Sequence, residues 1–265
     1  MSTALVTGAS AGIGLAFARE LAARGHDLVL VARDEARLQA LAHELGDLHG
    51  VHCEVLVADL ADRAAMQRVA DRAGDRDAPV DLLVNNAGFG LRSSFLRGDI
   101  ADEEQAVEVM IRAVMVVSQA AARAMVERGH GAIVVVSSVA SYVSMGTYSA
   151  VKAWARVFTE GLATELAGTG VTATALCPGF THTEFHDRAQ LRMGALPEAL
   201  WLDADQLVRD CLADVARGRV VSVPGRQYQA IVGALAVVPR GVVRRVTGLL
   251  AEQRRTRRAR STGDD

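Results

Sequence analysis

The chain has 265 residues, half of them hydrophobic, enough to bury a full-sized core within one large domain. Its 29 basic and 31 acidic residues leave a formal charge of -2, so no overall field recruits nucleic acid. Three scattered cysteines, Cys53, Cys177 and Cys211, lack the paired spacing of a zinc site or a disulfide framework and read as buried, reduced thiols.

The N-terminus enters an apolar run by Ala4 without a basic leader or a separate cleavable segment, and no uninterrupted apolar stretch approaches the roughly 20 residues a bilayer requires. A cytoplasmic chain is expected. Short runs rich in Val, Leu and Ile at residues 4–7, 28–31, 51–57, 82–84, 133–136, 171–176 and 220–223 predict seven strands. Between them, residues 15–23, 34–45, 64–73, 103–127 and 147–166 have helical composition and spacing. Strands that are apolar throughout are covered on both faces. The alternation therefore predicts an α/β fold: a Rossmann-like, doubly wound parallel sheet of seven strands in a single domain, with helices on both faces. Its span is residues 1–225, followed by a C-terminal extension over 226–265. Ligands of such sheets bind beyond the carboxyl ends of the strands.

The first of those ends carries Thr7-Gly8-Ala9-Ser10-Ala11-Gly12-Ile13-Gly14 and opens directly into a helix. Glycines let the backbone approach a pyrophosphate, and the helix start offers unpaired N–H groups to it. After the second strand, where an acidic residue would bind ribose hydroxyls, stand Ala32 and Arg33. A guanidinium grips a 2′-phosphate bidentately and Ser10 can add a hydroxyl, which favours NADP, with NADPH preferred over NADH. The plainer alternative makes Arg33 a solvated residue beside a helix cap at Asp34. Asp59 and Leu60, past the third strand, are placed at the adenine, where Asp59 accepts from the amino group or else caps the next helix.

On the helix beginning near Thr147, Tyr148 and Lys152 stand four apart and share a face. A nearby ammonium favours phenolate and is expected to lower the phenol's pKa, making Tyr148 a usable acid and base. Lys152 is also the only lysine among the 29 basic residues. Arginine fills every other basic position, yet a compact ammonium stands where it suits this chemistry.

These residues resemble the short-chain dehydrogenase/reductase family over about residues 3–183. The carrying motifs are the 7–14 loop, Asn85-Asn86-Ala87-Gly88, Ser137-Ser138, Tyr148 with Lys152, and Pro178-Gly179 with Thr183. The resemblance implies a homodimer or homotetramer that moves a hydride between a nicotinamide and a ketone or alcohol. Ser138, Tyr148 and Lys152 are then catalytic. Gly8, Ser10, Gly12, Ile13, Gly14, Asn86, Ala87, Gly88, Pro178, Gly179 and Thr183 would line the cofactor, with Tyr148 and Lys152 also touching it. Two departures stand out. Counting without gaps places Met110 at the family's helix asparagine, and a thioether cannot replace that amide's hydrogen bonds. The segment from Ser138 to Tyr148 is also short, which keeps Ser141 as a reserve for the serine role.

Residues 180–202 mix Thr, His, Phe, Met and Trp, as in a lid over a hydrophobic substrate, lipid-like or 3-oxoacyl. His182, Glu184 and His186 lack an evident further ligand, so no metal is expected. Beyond Pro224, the apolar run 231–238 precedes Val242, Val243, Val246, Leu249 and Leu250, then Arg254, Arg255, Arg257, Arg258 and Arg260. That pattern fits an amphipathic segment on an anionic membrane surface, or a helix docked on its own domain with a basic tail. The leading expectation is an NADP-dependent ketone reductase. The alternative is a weakly catalytic dinucleotide-sensing binding protein, which Met110 would favour.

Overall fold

The computed structural model describes residues 2–91, 95–184, 197–239, 241, 242, 244 and 245. Seven strands form one sheet: β1 Thr3–Thr7, β2 Asp27–Ala32, β3 Cys53–Val57, β4 Leu82–Asn85, β5 Gly131–Val136, β6 Val171–Leu176 and β7 Val221–Ser222. Their order is β3-β2-β1-β4-β5-β6-β7, and every pairing is parallel. The order reverses between β1 and β4, so the loops leaving those two strands part there and open a crevice. The fold is the Rossmann-like doubly wound sheet expected, in a single domain.

The helices are α1 Gly12–Ala23, α2 Glu35–His49, α3 Arg63–Ala73, α4 Ile100–Val107, α5 Ala113–Arg128, α6 Gly146–Glu165, α7 Ala204–Ala216 and α8 Arg226–Val237. Alternate strand residues feed two cores, as a pleated strand must. Leu5, Leu83, Ile133 and Val135 pack with α3, α5 and α6, while Ala4, Val6, Val84, Val134 and Val136 pack with α1, α2 and α7. Asp34, Asp62, Asp99 and Asp203 cap α2, α3, α4 and α7, each accepting a backbone N–H of the first turn. Asp59 is therefore not the cap of α3, although its Oδ1 accepts the N–H of Ala61 at 3.0 Å.

The long helix predicted over 103–127 begins at Ile100 and is interrupted: Glu108–Arg112 form a π-turn, where Ala113 N–H reaches back to Glu108 O. The stretch Ile100–Arg128 is apolar and long enough to cross a bilayer by length and composition, but α5 packs on α3 and its buried residues belong to the core. Helix α8, the first part of the extension, packs beside residues 139–142 and buries Tyr228. Residues 246–265, with the expected basic tail, lie outside the described residues.

The crevice is held by one hydroxyl. Thr7 Oγ1 accepts Asn86 N–H at 2.9 Å and Ala87 N–H at 3.0 Å, and donates to Val84 O at 3.3 Å. The Asn86 amide returns the tie, donating to Thr7 O at 2.9 Å and to Gly8 O at 3.3 Å. Thr7→Val keeps the shape but strips the acceptor from two N–H groups. It is expected to cost about 2 kcal/mol in urea denaturation; a loss no larger than that of an ordinary surface substitution would contradict this account of the crevice.

Candidate active site

At the carboxyl ends of the strands the residues after β1 and β4 are tied together, and those after β5 meet Tyr148 and Lys152 of α6. The glycine loop is shaped by contact as well as by dihedral freedom. Gly8 has φ +68°, and a Cβ at Gly14 would lie 2.2 Å from Gly8 O, so strand, loop and helix can meet this closely only through glycine. Helix α1 starts after Ala11, with neither a side-chain cap nor an acidic residue in its first turn. Its unsatisfied N–H groups and positive dipole end therefore face the crevice without a built-in anion, a cradle that suits a pyrophosphate. Thr183 lies against this loop: a Cβ on Gly12 would meet the Thr183 Cβ at 3.4 Å.

Arg33 and Asp59 leave β2 and β3 side by side, with Arg33 Nη1 3.9 Å from Asp59 Oδ2. The Arg33 side chain is 70% exposed, so the pair is weak and the guanidinium is free to turn toward an anion. Asp34 caps α2 as the plainer alternative required, which leaves Arg33 able to serve either way. Arg37, outside the expected site residues, stands one turn along and pairs with Glu184 at 3.2 Å. Leu60 turns its side chain into the core.

Ser138 stands two residues past β5 and caps a short 3-10 turn, Val139–Tyr142, accepting Ala140 N–H at 3.1 Å. It also hydrogen-bonds the Tyr148 phenol. Ser137 points to the other face, as strand alternation requires, and donates to Lys152 O at 2.7 Å. The reserve residue Ser141 is buried.

The electrostatics depart from expectation. Lys152 Nζ donates to Val136 O at 2.8 Å and lies 5.8 Å from the centre of the Tyr148 ring. Burial pushes the phenol up to about 12, against the smaller pull of the Ser138 hydrogen bond, and no lowering by Lys152 accompanies it. Burial also brings the ammonium down to about 8. The expected depression of Tyr148 is thus overturned, because desolvation of the charged form outweighs an ammonium aimed at a carbonyl.

Met110 sits at the middle of the π-turn and is buried against the same centre. A Cβ on Gly88 would come 3.0 Å from Met110 Sδ and 3.6 Å from Lys152 Nζ. At the other end, His182 stacks on Trp201 with centroids 4.6 Å apart and meets Glu198 at 3.0 Å. Trp201 lies 6.0 Å from Phe180. His186 and residues 185–196 of the expected lid lie outside the described residues. Cys177 and Cys211 are buried as expected, whereas Cys53 is only partly so.

A family model described as short chain dehydrogenase matches residues 2–193. The chain is 36% identical over 219 residues to sulfoacetaldehyde reductase 2 of Chromohalobacter salexigens, covering 80% of this chain and 85% of that protein. A short-chain dehydrogenase from Sphingobium yanoikuyae, solved in complex with NADPH, superimposes with a TM-score of 0.82 at 35% identity, over 91% of this chain and 97% of that one. A bulky-bulky ketone specific alcohol dehydrogenase from Comamonas testosteroni gives 0.76 at 30% identity, over 91% and 96%.

The buried ammonium makes a prediction that needs no substrate. Between about pH 8 and the ordinary lysine value of 10.5, the folded protein binds fewer protons at Lys152 than the unfolded chain, so stability rises with pH through that window. Below it the charge is held at a cost. Lys152→Met is expected to be more stable than wild type at pH 7 by about 2 kcal/mol, with the lost bond to Val136 already counted. The gap should shrink as urea titrations move from pH 8 to pH 10; a gap that ignores pH would show that the amine is not desolvated.

Proposed function

The chain belongs to the short-chain dehydrogenase family, within which we propose a ketone reductase that prefers NADPH and takes hydrophobic, lipid-like substrates such as 3-oxoacyl chains. The observation that carries the reading is the placement of Tyr148, bonded to Ser138 and one helical turn from Lys152, beside the crevice that Thr7 and Asn86 hold open.

NADPH, when bound, supplies a hydride to the carbonyl carbon. The loop from Gly8 through Ser10, Gly12, Ile13 and Gly14 would hold its pyrophosphate, Arg33 its 2′-phosphate and Asp59 its adenine. Asn86, Ala87, Gly88, Pro178, Gly179 and Thr183 would line the rest. Ser138 steadies the substrate oxygen, and Tyr148, whose high pKa keeps it protonated, delivers the proton to that oxygen. Lys152, held on Val136 O beside the phenol, would use its charge to hydrogen-bond the nicotinamide ribose. The Phe180 and Trp201 rings support an apolar substrate. Exposed Met115, Val126 and Val157 on α5 and α6 support assembly into a dimer or tetramer.

Loss of NADPH absorbance with a panel of small and bulky ketones tests the reaction. Tyr148→Phe is expected to lower kcat by about 100-fold or more with KM little changed, in the range of a positioned acid–base group; equal rates in the two proteins would end the mechanism. Reduction should also slow as pH rises through about 8, because Lys152 loses its charge there while Tyr148 remains protonated. For the cofactor, Arg33→Ala is expected to weaken NADPH binding by about tenfold and leave NADH unchanged, measured by fluorescence titration. Loss of both affinities alike would overturn the 2′-phosphate assignment.

A further inference from the structure

The chain leaves β6 through Gly179 and Phe180 and passes back beside itself at Trp201 and Leu202. Leu202 N–H donates to Phe180 O at 2.8 Å, His182 N–H donates to Leu202 O at 3.0 Å, and Thr181 bridges Leu202 in parallel. This neck carries the aromatic rings at the substrate end. Its backbone bonds fix one strand of the neck against the other, but leave open how the pair sits relative to the end of β6.

Tyr228 supplies that relation from α8. Its hydroxyl donates to Leu200 O at 2.6 Å and accepts Phe180 N–H at 3.0 Å, so a single oxygen holds both sides of the neck. The ring fills the space a side chain at Gly179 would need, since a Cβ there would lie 2.1 Å from Tyr228 Cε2 and Cζ. The residue is only 3% exposed. The turn into α8 is fitted to the same place: Gly225 has φ +87°, and a Cβ on it would stand 2.9 Å from Leu202 Cδ2. Gly179, Phe180, Leu200 and Leu202 are therefore all registered against the first turn of one C-terminal helix.

We infer that Tyr228 is a positioning residue for the substrate end: its hydroxyl sets the spacing of Phe180 and Trp201 and thereby the size of ketone substituent admitted. The inference rests on the reading of this cleft as a ketone site. Both hydrogen bonds of the Tyr228 hydroxyl are to backbone groups of the neck. Its effect falls on substrate fit rather than on the chemical step.

The test is Tyr228→Phe in the full chain, which keeps the ring on Gly179 and removes both hydroxyl bonds. Amide hydrogen exchange is expected to quicken by about tenfold in peptides spanning 179–182 and 199–202, with exchange elsewhere unchanged. KM for a bulky aryl ketone is expected to rise about fivefold while KM for a small ketone, kcat and the NADPH Kd stay within about twofold. Unchanged exchange at the neck overturns the inference, as does a ratio of bulky to small KM that stays at the wild-type value. Exchange is read without turnover, so a wild-type protein inactive on every ketone would sink the functional proposal while the clamp itself is still measured. Tyr228→Trp supplies a second arm: a larger ring against Gly179 should displace the neck and quicken the same peptides, and unchanged exchange there would overturn the fit of ring to glycine.

Discussion

Two reciprocal hydrogen bonds between β5 and α6 govern the geometry of this site. Lys152 extends its ammonium to Val136 O, and Ser137, the residue just past the strand, donates to Lys152 O. Side chain binds backbone in both directions, so the helix cannot slide along the strand or roll about its own axis without losing a buried bond. Because Ser138 follows Ser137 and Tyr148 precedes Lys152 by one turn, the same stitch sets how serine and phenol face each other. The glycine loop and the asparagine loop are tied in the same manner by Thr7 and Asn86. Each half of the crevice is thus fixed by polar groups buried where strands end, and the apolar cores beneath them need only be rigid.

Much of this was legible because the signals are local. Parallel strands covered on both faces announce themselves as uninterrupted Val, Leu and Ile, and the phosphate loop is a contiguous run whose glycines have no other economical use. The pairing of Tyr148 with Lys152 follows from helix periodicity alone. The family resemblance added Ser138 and the residues after β4 and β6, which the fold brings to one edge.

What stayed hidden depends on contacts between distant segments or on a balance of opposed energies. Nothing near Asn86 says that its amide will bind the carbonyls of residues 79 and 78 positions earlier. Helix α7 had a readable start, Asp203 followed by Leu207, Val208, Cys211 and Leu212 at helical spacing, although no helix was expected there. Tyr228 gave no signal, since a lone tyrosine after a glycine fits any docked helix. The sign of the Tyr148 shift was misjudged because sequence spacing reports proximity of charges, whereas burial depends on everything packed above them.

The π-turn at Glu108–Arg112 has a geometric effect beyond the turn itself. One residue inserted into an α-helix advances everything after it by roughly 100° around the axis. The buried positions of α4, Glu103 and Ala106, therefore point in a different direction from Val114, Val117 and Ala121 of α5. A helical wheel drawn straight from Ile100 to Arg128 puts all five on one arc and hides the turn between them. Met110 owes its aim at Gly88 to standing on this phase shift, and restoring an unbroken helix by deleting a single residue there would swing the thioether away from the lysine and rotate one whole wall of the domain against its neighbours.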